Sequence, residues 1–158
     1  MIYKNYDVLI VGGGAAGFFS AINTAQKNPA LRVGILERGS NVLSKVKISG
    51  GGRCNVTHAE FEPKPLSSHY PRGQKELLGP FHTFMTGDTM QWFEERGVNL
   101  KIEEDGRVFP ESNSSQTIID CFTSEANKYN IDVLLNHSVQ DISTSKGGWE
   151  LSTPKGTF

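Results

Sequence analysis

A glycine-rich turn near the start of the chain has the residue types and the spacing of a dinucleotide-binding site. Gly12, Gly14 and Gly17 form the pattern G-x-G-x-x-G between an apolar run and a segment with helical spacing. Glu37 ends the next apolar run, about twenty residues further on, where this motif places a ribose-binding acid. The glycines permit a tight turn, close approach of a pyrophosphate and packing of the helix on the strand. The pattern therefore predicts a helix N-terminus whose N–H groups face the phosphates of a dinucleotide.

Two points about this first site stay open. An ordinary glycine turn in an α/β protein would carry the same glycines, although it would not need the acid in register. Arg38 could bind the 2′-phosphate of NADP, or it could be solvated or stacked on adenine; the carboxylate before it disfavours a phosphate there. The predicted cofactor-binding residues of this segment are Gly12, Gly13, Gly14, Ala15, Ala16, Gly17, Glu37 and Arg38.

A second glycine cluster, in the stretch KISGGGRCNVT at residues 47–57, lies outside any clear helix or strand pattern. It suits an extended FAD, because glycines let the pyrophosphate and ribityl chain approach the backbone and Arg53 adds positive charge. Asn55 and Thr57 could hydrogen-bond the edge of the flavin ring and tune its potential. Cys54 is predicted to be a small packed residue, because dithiol chemistry needs a second cysteine nearby and position 59 is Ala.

Four segments of the chain resemble the BaiN/YhiN-like family of NAD(P)/FAD-dependent oxidoreductases. They are DVLIVGGGAAG, ILERG, ISGGGRCNVT and GRVFPES, and they occur in this order across most of the chain. The chain departs from the family pattern at His58, where members usually have Asn, and in NVLSKVKISGGG, where members often have GRKLLISGGG. Both departures leave the glycines and the Arg-Cys-Asn triplet intact.

The resemblance implies an FAD cofactor, with hydride passing between NAD(P)H, the flavin and a small organic substrate of unknown identity. It implies that Val139 holds the adenine through its backbone, although a valine here would equally suit a core strand. Family members are longer, so residues 1–158 are predicted to be the FAD-binding domain of a longer chain, without its substrate domain and closing segment. The second loop is predicted to bind the cofactor through Lys47, Ser49, Gly50, Gly51, Gly52, Arg53, Cys54, Asn55 and Thr57.

The hydrophobic pattern predicts an α/β fold of Rossmann type, with a parallel central sheet and a small β-hairpin. The run at 6–12 is predicted to be a strand buried on both faces, and the segment 106–112 a turn and edge segment. Residues 58–82 are predicted to be mostly loop, with a short helix near 75–78. The other predicted elements are helices at 15–28, 87–97 and 114–130, strands at 31–37, 98–104 and 131–136, and a hairpin around 146–148.

Composition narrows the class of partner. A formal net charge of −1 offers no electrostatic case for nucleic acid or an anionic membrane. No apolar run reaches the length of a membrane span and no signal peptide is evident, so a cytoplasmic protein is predicted. The four histidines and two cysteines show no metal-ligand spacing.

No catalytic acid or base stands out, and three functions compete. The first is the FAD-dependent oxidoreductase. The second is an NAD(P)-binding dehydrogenase without flavin, which would not need the second glycine loop. The third is a truncated nucleotide-binding domain that does not turn over. Arg107 could bind an anionic substrate, or it could pair with Glu103 or Glu104 at the surface.

Overall fold

The computed structural model describes residues 5–158 of the chain. Contacts divide these residues into two units: unit 1 is 5–46 with Phe122–Phe158, and unit 2 is Lys47–Cys121. Among residues 5–158, no helix is both long and apolar enough to cross a membrane. In chain order the elements are β1 (Val8–Val11), α1 (Ala15–Lys27), β2 (Val33–Leu36), α2 (Ser44–Ile48), a 3₁₀ turn (Ser49–Gly52), β3 (Thr57–His58), α3 (Pro63–Ser68), α4 (Gln74–Phe81), α5 (Thr86–Glu94), β4 (Leu100–Ile102), β5 (Arg107–Pro110), α6 (Ser115–Lys128), β6 (Asp132–Leu134), β7 (Asp141–Ser145), β8 (Gly148–Thr153) and β9 (Gly156–Thr157).

A parallel sheet with the strand order β1-β2-β6 lies in unit 1. Val8 pairs with Val33 and Gly34 pairs with Asp132, so the three strands run in the same direction. All four residues of β2, the central strand, are buried. The predicted β-α-β unit and the predicted parallel sheet are confirmed.

Strand β1 is less buried than the sequence pattern predicts. Its first three residues are half-buried, and Val11 is 56% exposed. Among the described strands β1 pairs with β2 alone, so one edge of it has no ladder partner. The prediction of a strand buried on both faces is wrong for β1, because an apolar run does not reveal how much of each face the rest of the chain covers.

Helix α1 has the predicted bounds to within one residue and buries one face. Phe18 and Ile22 are fully buried, and the ring of Phe18 lies 6.0 Å from that of Phe122, centroid to centroid. Asn28 follows the helix in an extended conformation, as expected of a residue that precedes proline. Burial of these aromatic and branched side chains packs α1 against the sheet, and so holds the glycine turn that precedes α1 in place.

A polar cluster joins the first residues of the parallel strands. The hydroxyl of Tyr6 donates to Asp132 Oδ2 at 2.7 Å, and Arg32 Nη2 lies 3.3 Å from the same oxygen. The guanidinium carbon of Arg32 lies 4.6 Å from the centroid of the Tyr6 ring. Burial, and then the Asp132 carboxylate, raise the pKa of Tyr6 to about 12. The cluster therefore ties the segment before β1 to β6 across the central strand.

The predicted hairpin is confirmed as part of an antiparallel sheet with the order β7-β8-β9 in unit 1. Ser145 pairs with Gly148, and Gly147 has a φ of +106° in the turn between them. That positive value suits glycine, so Gly147 favours reversal of the chain at this turn.

Unit 2 holds an antiparallel sheet with the order β3-β5-β4, in which β5 is the central strand. Thr57 pairs with Val108 on one side, and Lys101 pairs with Phe109 on the other. Val108 and Phe109 are fully buried. The prediction of an edge segment at 106–112 is wrong, because Pro110 stands at the last position of β5 and leaves the ladder before it intact.

Unit 2 contains a helix that was not predicted, α3, and its helices α4 and α5 differ from prediction in their bounds. Helix α5 begins at Thr86, and the carboxylate of Asp88 accepts the N–H of Met85 at 2.8 Å. Asp88 therefore sits in the first turn, where its carboxylate satisfies the N–H of the residue that precedes the helix. Helices α3 and α4 occupy much of 58–82, because Pro63 suits a first helical turn although the composition is typical of loops.

Candidate functional site

The first glycine turn connects β1 to α1 in a conformation that specific glycines permit. Gly12 has a φ of +109°, and its N–H donates to Leu36 O at 2.8 Å. A Cβ at Gly17 would run into the carbonyl oxygen of Gly12. The turn and the start of the helix are thus in direct contact, which no larger side chain at position 17 would allow.

Gly14 faces open space. It precedes α1 in an extended conformation with φ −91° and ψ −176°, which any residue can adopt. A Cβ there would meet no described heavy atom within 4 Å, and Gly14, Ala15 and Ala16 are all exposed. The first N–H groups of a helix have no acceptor within the helix. The N-terminus of α1 can therefore be approached by a ligand.

Glu37 is held by backbone N–H groups at the end of β2. Gly13 N donates to Oε2 at 2.8 Å, and Gly39 N donates to Oε1 at 2.7 Å. These N–H groups, first that of Gly39, hold the pKa of Glu37 below its ordinary value. Each carboxylate oxygen keeps a further lone pair, so the ionised group can still accept hydrogen bonds from a ligand. Its predicted contact with ribose hydroxyls stays a prediction.

A cleft of about 470 Å³ lies beside this turn, within unit 1. It brings together most of the residues that the sequence predicts for the first site. The exposed side chain of Arg38 lines it, which leaves both interpretations of this residue open. The lining residues are Gly13, Gly14, Ala15, Ala16, Glu37, Arg38, Leu43, Ser44, Lys45 and Val46.

The last four of these residues were missed by the sequence analysis. Leu43 N donates to Gly13 O at 2.8 Å, which fixes the segment after β2 against the glycine turn. Leu43 has a φ of +56°, an uncommon value for a residue other than glycine, and its side chain is buried. Leucine does not favour a left-handed backbone conformation, so the sequence contains no signal that predicts this contact.

The second glycine loop lies in unit 2 and is strongly left-handed. Gly50, Gly51 and Gly52 have φ values of +55°, +67° and +85°, and Cys54 follows with +64°. Cys54 N donates to Ser49 O at 3.0 Å and closes the loop. Lys47 is exposed, and its carbonyl oxygen accepts the hydroxyl of Ser115 at 2.8 Å.

Several polar groups of this loop bond within unit 2. Arg53 Nη1 donates to Glu103 Oε1 at 2.6 Å. The side-chain amide of Asn55 is oriented with its nitrogen toward two carbonyl oxygens. This nitrogen donates to Thr57 O at 2.8 Å and to Val108 O at 3.2 Å. The hydroxyl of Thr57 lies 3.4 Å from that of Thr86. The predicted contacts of Arg53, Asn55 and Thr57 with a cofactor stay predictions.

The structure also shows the surroundings of the three remaining candidates, Cys54, Val139 and Arg107. Cys54 is buried, and burial raises the pKa of its thiol, so the neutral form prevails at physiological pH. Val139 lies in the segment between β6 and β7 and is half-buried, so it is not the core strand residue considered as an alternative. Arg107 Nη2 pairs with Asp105 Oδ2 at 2.7 Å, and lies 3.9 Å from Glu103 Oε2.

A family model described as the HI0933-like protein Rossmann domain matches residues 6–157. The chain belongs to the HI0933-like family. This agrees with the resemblance carried by the glycine motifs and by GRVFPES, and the HI0933-like proteins form a family of FAD-binding oxidoreductases.

Two curated proteins are similar to this HI0933-like chain. The ribosomal RNA dihydrouridine synthase of Escherichia coli is 29% identical over 148 residues, covering 94% of this chain and 36% of that protein. The 3-dehydro-bile acid delta(4,6)-reductase of Clostridium scindens is 26% identical over 140 residues, covering 89% and 33%. The chain thus spans about a third of the length of these relatives.

A solved structure shows the same fold. The 3-ketosteroid-delta4-(5alpha)-dehydrogenase from Rhodococcus jostii RHA1 superposes with a TM-score of 0.67 at 14% identity, covering 96% of this chain and 43% of that one. The predicted fold class is therefore confirmed: the HI0933-like chain has an α/β fold of Rossmann type.

Proposed function

We propose that this chain binds FAD and is the FAD-binding part of a longer oxidoreductase. The whole protein is proposed to transfer hydride from NAD(P)H to an organic acceptor. The observation that carries the proposal is the cleft of unit 1, where the open N-terminus of α1 and the Glu37 carboxylate lie side by side. An anion-binding helix end next to a carboxylate matches a nucleotide, which presents phosphates and ribose hydroxyls together.

The residues of this cleft fit the adenosine half of FAD. The first N–H groups of α1 are oriented for the pyrophosphate, and the absence of a side chain at Gly14 leaves room for it. Glu37 is ionised and already oriented by two backbone N–H groups, so it accepts ribose hydroxyls without a change of conformation. Arg38 and Lys45 add positive charge at the rim of the cleft.

The second glycine loop is proposed to bind the pyrophosphate and ribityl chain. A Cβ at Gly51 or Gly52 would meet no described heavy atom within 4 Å, so the backbone of these residues is open to a ligand. FAD supplies an isoalloxazine ring that can accept and release a hydride. Cys54 stays protonated and contributes packing, since its buried thiol is a poor nucleophile.

The names of the two relatives favour one class of acceptor. Dihydrouridine differs from uridine by saturation of a ring double bond conjugated to a carbonyl group. A 3-dehydro-bile acid with delta(4,6) unsaturation likewise carries ring double bonds conjugated to a 3-oxo group. We therefore propose a ring C=C bond conjugated to a carbonyl group as the acceptor. NAD(P)H gives up a hydride, and the double bond gains that hydride and one proton.

A titration of the purified chain with FAD tests the cofactor assignment. Gly14→Val places a side chain in the open cleft without backbone strain, so saturable uptake by the parent should weaken by about a hundredfold in the variant. Gly148→Val is the matched control, because Gly148 is also exposed and open, has no positive φ, and lies in β8 of the same unit, outside the residues that line the cleft. Equal FAD affinity of Gly14→Val and parent would show that the cleft is not the site.

Titration with NADH and NADPH separates the competing functions. A chain that takes up a nicotinamide dinucleotide at Glu37 and no FAD would be a flavin-free dehydrogenase domain, contrary to the proposal. Binding of neither nucleotide by a folded chain would also contradict it.

A further inference from the structure

The glycine loop of unit 2 lies directly on the side chain of Phe109. Phe109 is fully buried in β5, and a Cβ at Gly50 would lie 2.8 Å from its Cε1 atom. The same Cβ would lie 2.8 Å from the backbone nitrogen of Asn55. Position 50 is therefore closed on two sides, and the aromatic ring determines how near the loop comes to β5.

Arg53 covers the face of the same ring. Its Cζ lies 3.9 Å from the ring centroid of Phe109, and its Nη1 donates to Glu103 Oε1 at 2.6 Å. The side chains of Arg53 and Glu103 are 32% and 27% exposed, so the ion pair is partly shielded from water. Such a hydrogen-bonded pair stabilises more than one at an open surface.

Glu103 is itself fixed by the sheet. It follows β4, and its N–H donates to Arg107 O at 2.9 Å, which continues the ladder between β4 and β5. Val56 N donates to Val108 O at 2.8 Å on the other side of β5. The loop is thus attached to β5 at its exit, and to the end of β4 through Arg53.

From these contacts we infer that Arg53 is a positioning residue for FAD binding and not a phosphate ligand. Together with Gly50, Glu103 and Phe109 it forms a clamp, the Phe109 clamp, that holds the left-handed glycine loop in its binding conformation. The guanidinium charge is matched by Glu103 within unit 2. This inference rests on the proposed function, because the loop it concerns is the one proposed to bind FAD.

The variant Glu103→Gln distinguishes a phosphate ligand from a positioning residue at Arg53, because the two roles predict opposite changes in FAD affinity. If Arg53 binds the pyrophosphate, removal of the Glu103 charge makes the cation more available and FAD binds more tightly. If Arg53 acts through the clamp, the loop loses a charged hydrogen bond and FAD binds about tenfold more weakly. Glu104→Gln is the matched control, since it removes the same charge from the next, exposed residue. Thermal unfolding of both variants checks that the fold is retained.

Arg53→Lys provides the conservative variant. Lysine keeps the positive charge but loses the planar group that stacks on Phe109 and donates to Glu103 in a fixed geometry. The clamp predicts that Arg53→Lys binds FAD about as weakly as Arg53→Gln, and that the double variant Arg53→Gln/Glu103→Gln is no weaker than either single one. Restoration of parental affinity by lysine would overturn the inference.

Amide hydrogen exchange tests the clamp without any cofactor. Exchange at residues 49–55 should become about tenfold faster in Glu103→Gln and stay parental in Glu104→Gln. Unchanged exchange of the loop in Glu103→Gln would overturn the clamp even if the chain bound no FAD. Failure of the parent to bind FAD, with faster loop exchange in the variant, would instead overturn the proposed function alone.

Discussion

The carboxylate of Glu37 accepts a hydrogen bond from the backbone N–H of Gly13, with 2.8 Å between Gly13 N and Glu37 Oε2. The contact joins the end of β2 to the glycine turn that follows β1. A second N–H, from Gly39, occupies the other carboxylate oxygen at 2.7 Å. The acid that is proposed to bind a ribose therefore also shapes the turn that is proposed to receive the phosphates.

Glu37→Gln should destabilise the chain at neutral pH by about 1–2 kcal/mol, because an amide oxygen replaces a charged acceptor and the amide nitrogen cannot accept an N–H. The pKa of Glu37 is lowered in the folded chain, so its contribution is complete above the unfolded pKa and disappears as the pH falls through the folded pKa. Urea unfolding should show a difference between parent and variant at pH 7 that decreases in acid. A difference that grew as the pH fell would contradict this assignment.

Tyr6→Phe should show the opposite pH dependence. The pKa of Tyr6 is raised from 10.0 to about 12 in the folded chain, so its contribution is complete below pH 10 and is lost as the pH rises through about 12. The parent should lose stability over this alkaline interval relative to the phenylalanine variant. Paired denaturant titrations between pH 9 and about 12 measure the difference, because the other tyrosines and lysines titrate in both chains.

Gly17→Ala should destabilise the chain by about 2–3 kcal/mol. The alanine methyl group would overlap the carbonyl oxygen of Gly12 and push the turn away from α1. Gly14→Ala is the control, because a methyl group there meets open space and an ordinary backbone conformation. Urea unfolding of the two variants should therefore differ, although both substitutions lie within the same six-residue motif. Equal stabilities would show that the turn is not closed as described.

Cys54 should react slowly with a thiol reagent in the folded chain. Burial raises the pKa of its thiol, so less thiolate is present at pH 7 than for a free cysteine. In the Cys121→Ala variant, which leaves a single thiol, alkylation by iodoacetamide should be at least about tenfold slower in buffer than in denaturant. A rate in buffer equal to that in denaturant would mean that Cys54 is accessible and reactive.

The sequence determined the first half of the candidate site because its signals are local. The apolar runs of β1 and β2, the helical spacing of α1, the three glycines and Glu37 lie within one β-α-β unit, and each has a direct backbone consequence. A positive φ at Gly12 and close packing at Gly17 follow from the motif itself. The family followed from these segments together with the second loop.

The tertiary structure decided the contacts between residues that are distant along the chain. No periodicity places Phe109 under Gly50, pairs Arg53 with Glu103, or makes β5 a central strand between β3 and β4. Likewise, a leucine at position 43 does not predict the left-handed backbone conformation that this residue adopts. Local pattern reports which face of an element is apolar, but its partner is set by packing of the whole unit, so these relationships became visible only in the folded chain.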